Sequence, residues 1–133
     1  MELSEVFSCG TISVHMNKPK KIAVIGGGSW ATALAKILTD EKGSLINWWM
    51  HNEESAKHLM QFHHNPRYLS SVSFDPETIS VFTEVTEAVK QADIVVFAIP
   101  SAFVKSVLLE LAPGALDGKI VCSAIKGIIP DEN

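Results

Sequence analysis

The sequence is poor in cysteine and lacks long apolar runs, and each absence excludes a class of protein. Two of its 133 residues are cysteine, Cys9 and Cys122, and they form no Cys-x-x-Cys pair. A chain of this length can bury a core without disulfides, so we interpret both as reduced thiols and expect a cytoplasmic protein. No apolar run approaches the roughly 18–20 residues that span a bilayer, so no membrane partner is expected.

Positive charge is also scarce. The 11 Lys and Arg residues are outnumbered by 15 Asp and Glu, which gives a formal net charge of −4. Nucleic-acid binding needs concentrated basic side chains against the phosphates, so no nucleic-acid partner is expected. The composition, 47% hydrophobic and 20% charged, is that of a globular domain.

Three histidines close in sequence, His58, His63 and His64, raise the question of a metal site. No cysteine or carboxylate completes a tetrahedral set with them, and a spacing of five on a predicted helix does not stack two imidazoles well. We therefore predict no metal site and expect a solvated helix end.

Beyond residue 20, short apolar strands alternate with helical segments. Helices are predicted between consecutive strands, and the strands are Ile22–Ile25, Ser44–Met50, Ile79–Phe82, Ala92–Ile99 and Lys119–Ile125. Gly43 is expected to end the first helix, and Thr83 and Ser101 can cap later ones. The alternation predicts an α/β fold of Rossmann type, with a doubly wound, mostly parallel sheet and helices on both faces.

A glycine-rich loop joins the first predicted strand to the first helix. Its sequence, GGGSWA, fits the Gly-x-Gly-x-x-Gly/Ala pattern, with Gly26, Gly28 and Ala31 at the fixed positions. Gly26 permits a tight turn, Gly28 lets a pyrophosphate approach the backbone, and Ala31 lets the helix pack on the strand. The helix N-terminus offers N–H groups to phosphates. The loop therefore predicts a dinucleotide site, and the alternative is a glycine-rich turn without a ligand.

The residues after the second strand bear on the choice between NADH and NADPH. Dinucleotide domains commonly place an acid about 20 residues beyond the loop, where it binds the ribose 2′-hydroxyl of NAD. Residues 47–52 contain no acid, and Glu53 and Glu54 are expected to begin the next helix. Without a carboxylate a 2′-phosphate is not repelled, and His51, with Asn52 beside it, could bind one. We favour NADPH over NADH; the alternative is that His51 is only an exposed polar residue.

Five segments spread between Lys20 and Gly127 form a more specific pattern than the glycines alone. They are GGGSWATALA from Gly26, WMHN from Trp49, NPRYL from Asn65, AIPS from Ala98 and SAIKG from Ser123. In this order they resemble the bacterial-type NAD(P)-dependent glycerol-3-phosphate dehydrogenases. The resemblance implies an oxidoreductase acting on a CH–OH group. It would interconvert dihydroxyacetone phosphate and sn-glycerol 3-phosphate by hydride transfer, for phospholipid synthesis.

Fold-like patterning begins at Lys20, so we expect residues 1–17 to form a poorly ordered arm and residues 18–133 to form the dinucleotide-binding domain. The resemblance implies a further part of the protein. A second, helical domain is expected beyond Asn133, and it would carry the acid/base lysine and most of the substrate phosphate site. No catalytic residue is therefore assigned within the chain, which alone is expected to be inactive. A homo-oligomer is possible.

By resemblance, Lys126 contacts both substrate and cofactor. It follows the fifth strand, where a cation can stabilise developing alkoxide charge. Ser29 caps the helix or binds a phosphate oxygen, Trp30 covers the pyrophosphate or packs on the sheet, and both pairs of roles stay open. The predicted cofactor-binding residues are Gly26, Gly28, Ser29, Trp30, Ala31, His51, Tyr68, Pro100, Ser101 and Lys126.

Two other functions remain compatible with the same cofactor half. One is another dehydrogenase, of the ketopantoate reductase or hydroxyacyl-CoA dehydrogenase type. The other is a non-catalytic dinucleotide-sensing module, in which Lys126 would have no substrate to bind.

Overall fold

The computed structural model describes residues 20–41 and 43–124. The strands of the described part are β1 (Lys20–Ile25), β2 (Ser44–Trp49), β3 (Ile79–Phe82), β4 (Ile94–Phe97) and β5 (Ile120–Ser123). The helices there are α1 (Ser29–Asp40), α2 (Glu53–Phe62), α3 (Val85–Lys90) and, after a 3-10 turn over Ser101–Phe103, α4 (Val104–Glu110). None of the helices in these ranges is long and apolar enough to cross a bilayer.

Several sequence-based predictions lie outside the described residues. They concern the N-terminal arm with Cys9, the position of Lys126, and the acid/base lysine expected beyond Asn133. Each of these stays a prediction.

The described strands form one parallel sheet in the order β3-β2-β1-β4-β5. The chain builds outward from β1 through β2 to β3, then crosses back to β4 and continues to β5. The connections after β1 and β4 therefore leave in opposite directions, which opens a crevice at the carboxyl edge between these two strands. This order confirms the predicted Rossmann-type α/β fold.

Helices cover both faces of the sheet, because successive side chains of a strand point to opposite sides. Ile22 and Val24 of β1 pack with apolar residues of α1 and α2 in one core cluster. Ala23 and Ile25 pack with residues of α3 and α4 in the other cluster. The sheet is thus doubly wound, as predicted.

Two predicted helix ends are wrong. The chain leaves α1 through Glu41 in extended backbone, so Gly43, with a φ of 83°, does not cap α1 and instead lies in the turn before β2. The N-cap of α3 is Glu84 rather than Thr83. The carbonyl of Thr83 accepts a hydrogen bond from the Trp49 indole at 2.9 Å, which fixes Thr83 in the loop before the helix.

The two serines considered as caps lie inside helical turns. Gly28 is the N-cap of α1, so Ser29 is the first helical residue, and no side chain caps this helix. Ser101 opens the 3-10 turn and does not cap α4. The N–H of Phe103 donates to the Pro100 carbonyl at 2.9 Å, and this tighter turn delays the start of α4 to Val104.

Candidate functional site

A crevice of about 380 Å³ opens at the carboxyl edge of β1, β2 and β4. Its volume lies in the range of roughly 300–1,000 Å³ typical of small-molecule sites. It lies at the point where the strand order reverses, which is where ligands bind in open α/β sheets. Its lining residues are Gly26, Gly27, Gly28, Trp49, Met50, His51, Asn52, Ser55, Arg67, Tyr68, Ile99, Pro100, Phe103, Ser106, Val107 and Glu110.

The two glycines at the fixed positions of the motif differ in whether the fold requires glycine there. Gly26 has a φ of +139°, and a Cβ there would overlap the carbonyl oxygen of Ala98, so the fold itself excludes any other residue. Gly28 has an ordinary φ of −83°, and a Cβ there would meet no atom within 4 Å. Nothing in the described chain therefore demands glycine at position 28. The open space beside it is what close approach of a ligand to the backbone needs.

The amides of the glycine loop can receive an anion. The N–H of Gly26 donates to the Trp49 carbonyl at 3.0 Å. The next three N–H groups are those of Gly27, Gly28 and Ser29. They have no hydrogen-bond acceptor among residues 20–41 and 43–124. They lie at the N-terminus of the twelve-residue α1. Such amides, together with the positive end of the helix dipole, favour a phosphate at this place.

The sequence-predicted residues divide into two groups by position. Five of them, Gly26, Gly28, His51, Tyr68 and Pro100, line the crevice. Four others lie next to it or behind it without lining it; they are Ser29, Trp30, Ala31 and Ser101. Cofactor contact by any of these residues stays a prediction.

The residues of the second group have distinct surroundings. Ala31 is fully buried in the core cluster that joins α1 to the sheet, which fits the packing role predicted for it. The Trp30 indole donates to the carbonyl of Ala124 at 2.8 Å, so its ring nitrogen points to the end of β5. Ser29 is exposed and Ser101 is partly buried.

The wall of the crevice after β2 carries basic and polar groups. His51 is exposed beside Trp49, and Asn52 caps α2 by accepting the Ser55 N–H at 2.8 Å. Arg67 lines the same crevice. Sequence reasoning missed Arg67, although it stands in the NPRYL segment from which only Tyr68 was chosen. The acids Glu53 and Glu54 lie in the first turn of α2, as predicted, and do not line the crevice.

The histidines are arranged differently from the expected solvated helix end. The rings of His58 and His64 contact each other at 4.7 Å between centroids, with Nε2 atoms 3.4 Å apart. They meet because α2 ends at Phe62 and His63 adopts a left-handed φ of 62°, which turns the chain back. In the described part of the chain, no three His, Cys, Asp or Glu side chains group so that they could hold a metal ion.

Cys122 is fully buried on β5, in the same core cluster as α1. Burial raises the pKa of its thiol, because the charged thiolate loses its hydration there. A thiol buried in the core is expected to be unreactive.

Comparison of the sequence with known proteins gives a family match. Residues 21–133 match the family model described as NAD-dependent glycerol-3-phosphate dehydrogenase N-terminus. The chain is 41% identical over 107 residues to glycerol-3-phosphate dehydrogenase (NAD(P)+) of Chlorobium limicola, which covers 80% of this chain and 32% of that protein. The chain thus spans about a third of the length of the curated relatives it matches.

Two solved structures have the same fold. Glycerol-3-phosphate dehydrogenase of Saccharomyces cerevisiae superposes with a TM-score of 0.73 and 25% identity, covering 83% of this chain and 34% of that one. The Plasmodium falciparum glycerol-3-phosphate dehydrogenase superposes with a TM-score of 0.72 and 23% identity, covering 87% of this chain and 35% of that one.

Proposed function

Because this chain belongs to the NAD-dependent glycerol-3-phosphate dehydrogenase N-terminus family, we propose that it forms the dinucleotide-binding half of such an enzyme. The observation that carries the proposal is the glycine loop at the mouth of α1. It offers the amides of Gly27, Gly28 and Ser29 to a crevice at the switch point of the sheet. A pyrophosphate is the part of a dinucleotide that such amides recognise.

Each wall of the crevice has a separate task in this proposal. The amides at the start of α1 bind the pyrophosphate, and the absent side chain of Gly28 leaves room for it. His51 and Arg67, which line the crevice, are proposed to contact the ribose of the adenosine half. Pro100 and Phe103 form the wall after β4. The nicotinamide, when bound, supplies the hydride, and this chain's residues hold and orient the dinucleotide.

For the whole protein we propose interconversion of dihydroxyacetone phosphate and sn-glycerol 3-phosphate. In reduction, hydride adds to the carbonyl carbon and a proton adds to its oxygen. The general acid/base lysine is proposed to lie beyond Asn133, outside this chain, which spans 32% of its Chlorobium relative. Lys126 is proposed to hold a polar oxygen of the substrate. A cytoplasmic location, a homo-oligomer and the lack of nucleic-acid partners stay predictions.

The proposed cofactor preference is NADPH. Arg67 lines the crevice with His51, and no carboxylate stands at the end of β2 to repel a 2′-phosphate. Arginine binds phosphate through a planar fork of N–H donors, so Arg67 strengthens the case for a phosphate in this crevice. Calorimetric titration of the full chain should give a lower Kd for NADPH than for NADH. Equal affinities, or tighter NADH binding, would contradict the preference and leave dinucleotide binding intact.

The proposed function itself is tested by binding and turnover measured on the same chain. We expect NADH and NADPH to bind with one molecule per chain, and mixtures with dihydroxyacetone phosphate to show no oxidation of the cofactor. Absence of any dinucleotide binding would disprove the proposal. Steady oxidation of NADH or NADPH that depends on dihydroxyacetone phosphate would disprove the proposal that the acid/base lysine lies in a second domain.

A further inference from the structure

The three carbonyl groups of the glycine loop are each held by a buried side chain. The hydrogen bonds run from Trp48 Nε1 to Gly26 O at 2.5 Å, from Asn65 Nδ2 to Gly27 O at 3.2 Å and from Thr32 Oγ1 to Gly28 O at 2.6 Å. All three donor residues are fully buried, and none lines the crevice. The three carbonyls are therefore directed into the core.

The direction of the carbonyls fixes the direction of the amides. In a trans peptide the C=O of one residue and the N–H of the next point in opposite directions. The carbonyls of Gly26, Gly27 and Gly28 share their peptide groups with the N–H groups of Gly27, Gly28 and Ser29. These are the three amides without an acceptor in the described chain. Anchoring the carbonyls inward thus turns these amides outward.

Asn65 is the central member of this set. Its Nδ2 also donates to Thr32 Oγ1 at 3.0 Å, and its Oδ1 accepts the N–H groups of Arg67 at 3.0 Å and Tyr68 at 3.3 Å. The two donor hydrogens and two acceptor positions of the carboxamide are therefore all used. One buried side chain ties the glycine loop to the turn that carries two other crevice residues.

We propose that Asn65 is a positioning residue of the dinucleotide site, which holds the loop amides outward before a pyrophosphate arrives. The role rests on the proposed function and adds to it a residue that does not itself contact the ligand. Glycine has more backbone freedom to lose than any other residue. A loop ordered in advance avoids that cost on binding, and its donors need no reorganisation.

The experiment separates positioning from general stability by comparing two ligands. Adenosine and ADP-ribose differ by the pyrophosphate and the second ribose. The Kd of adenosine divided by the Kd of ADP-ribose therefore reports what these two groups together contribute to binding. We expect Asn65→Ala in the full chain to lower this ratio about tenfold, because two hydrogen bonds to the loop and Thr32 are lost. Any loss of adenosine affinity through the turn that carries Arg67 and Tyr68 affects both ligands and cancels in the ratio.

Asn47 supplies a matched control. It is a buried asparagine of β2 whose Nδ2 donates to the Ala88 carbonyl at 3.1 Å, on the other face of the sheet from the Asn65 cluster. Asn47→Ala also removes a buried side-chain hydrogen bond, so it should lower the thermal midpoint as Asn65→Ala does. It should leave the ratio of the two Kd values unchanged. If Asn65→Ala does not fold, Thr32→Val, which keeps the side-chain volume, should lower the ratio about fivefold.

Two results would overturn the proposal. One is an unchanged ratio in the folded Asn65 or Thr32 variant. The other is an equal fall in the ratio for Asn47→Ala, which would make the effect one of stability. Failure of the unaltered chain to bind ADP-ribose is a separate outcome: it would disprove the dinucleotide function, and the positioning role with it.

Discussion

Replacing Gly28 by alanine should separate ligand binding from folding. Gly28 has φ −83° and ψ −171°, which alanine adopts without strain, and the added methyl would meet no atom within 4 Å. Alanine is a poor N-cap, which costs about 0.5–1 kcal/mol relative to glycine, and removing a glycine restricts the unfolded chain, which contributes about 0.4–1 kcal/mol. These effects offset each other, so the free energy of unfolding should stay within about 0.5 kcal/mol of the original.

The effect of the same change on binding should be much larger. The methyl group would occupy the open space beside the outward amides of the loop and keep a pyrophosphate oxygen away from them. A hydrogen bond to a charged group contributes about 1.5–3 kcal/mol, so losing one raises the Kd roughly 10- to 150-fold. Isothermal titration with NADH and ADP-ribose gives the Kd, and thermal unfolding of the same samples gives the stability.

Gly43 provides a control, because replacing it by alanine should affect stability and not binding. Its φ of 83° is unfavourable for alanine by about 1 kcal/mol or more, although a Cβ there would also meet open space. Gly43→Ala should therefore unfold at a lower temperature and bind NADH as before. Unchanged NADH affinity in Gly28→Ala would refute the reasoning, since the amides would then not be where the cofactor binds.

Other changes probe the core, the basic wall and the buried thiol. Ala31→Leu should destabilise the chain by about 1–3 kcal/mol through overpacking between α1 and the sheet and should weaken NADH binding; urea unfolding with an unaltered midpoint would contradict this. Arg67→Ala should raise the Kd for NADPH about tenfold and change the Kd for NADH little. Equal losses of affinity for the two cofactors in parallel titrations would contradict this. In a Cys9→Ser background, Cys122 should react with Ellman's reagent at pH 8 only after unfolding, because burial keeps the reagent away from this thiol and raises its pKa. Rapid labelling of the folded chain would disprove burial as its protection.

The elements that position the crevice could be predicted because their patterns are local. The apolar β1, the glycines and the helical spacing of α1 occupy one continuous stretch, and the motif specifies their order. The caps were predicted less well. Gly43 and Thr83 have suitable residue types, but the chain leaves α1 through Glu41, and the contact from Trp49 holds Thr83 outside α3.

The supports of the glycine loop could not be predicted because they come from distant parts of the chain. Asn65 stands 38 positions from Gly27 and Trp48 stands 22 positions from Gly26. No periodicity or spacing rule used on the sequence predicts these hydrogen bonds. The contact of His58 with His64 was missed for a different reason: it depends on a left-handed backbone at His63, which residue type alone does not indicate.

The paired indoles of β2 make the alignment of this strand a condition of ligand binding. Trp48 faces one layer and donates to the glycine loop, while Trp49 faces the other and donates to the loop before α3. Sliding β2 by one residue would exchange these layers, because side-chain direction alternates along a strand. A misaligned molecule could keep a parallel sheet and its circular dichroism in the far ultraviolet, yet it would lose both indole bonds. Near-ultraviolet circular dichroism of the tryptophans would therefore distinguish molecules with β2 in the correct register from folded molecules with β2 shifted by one residue.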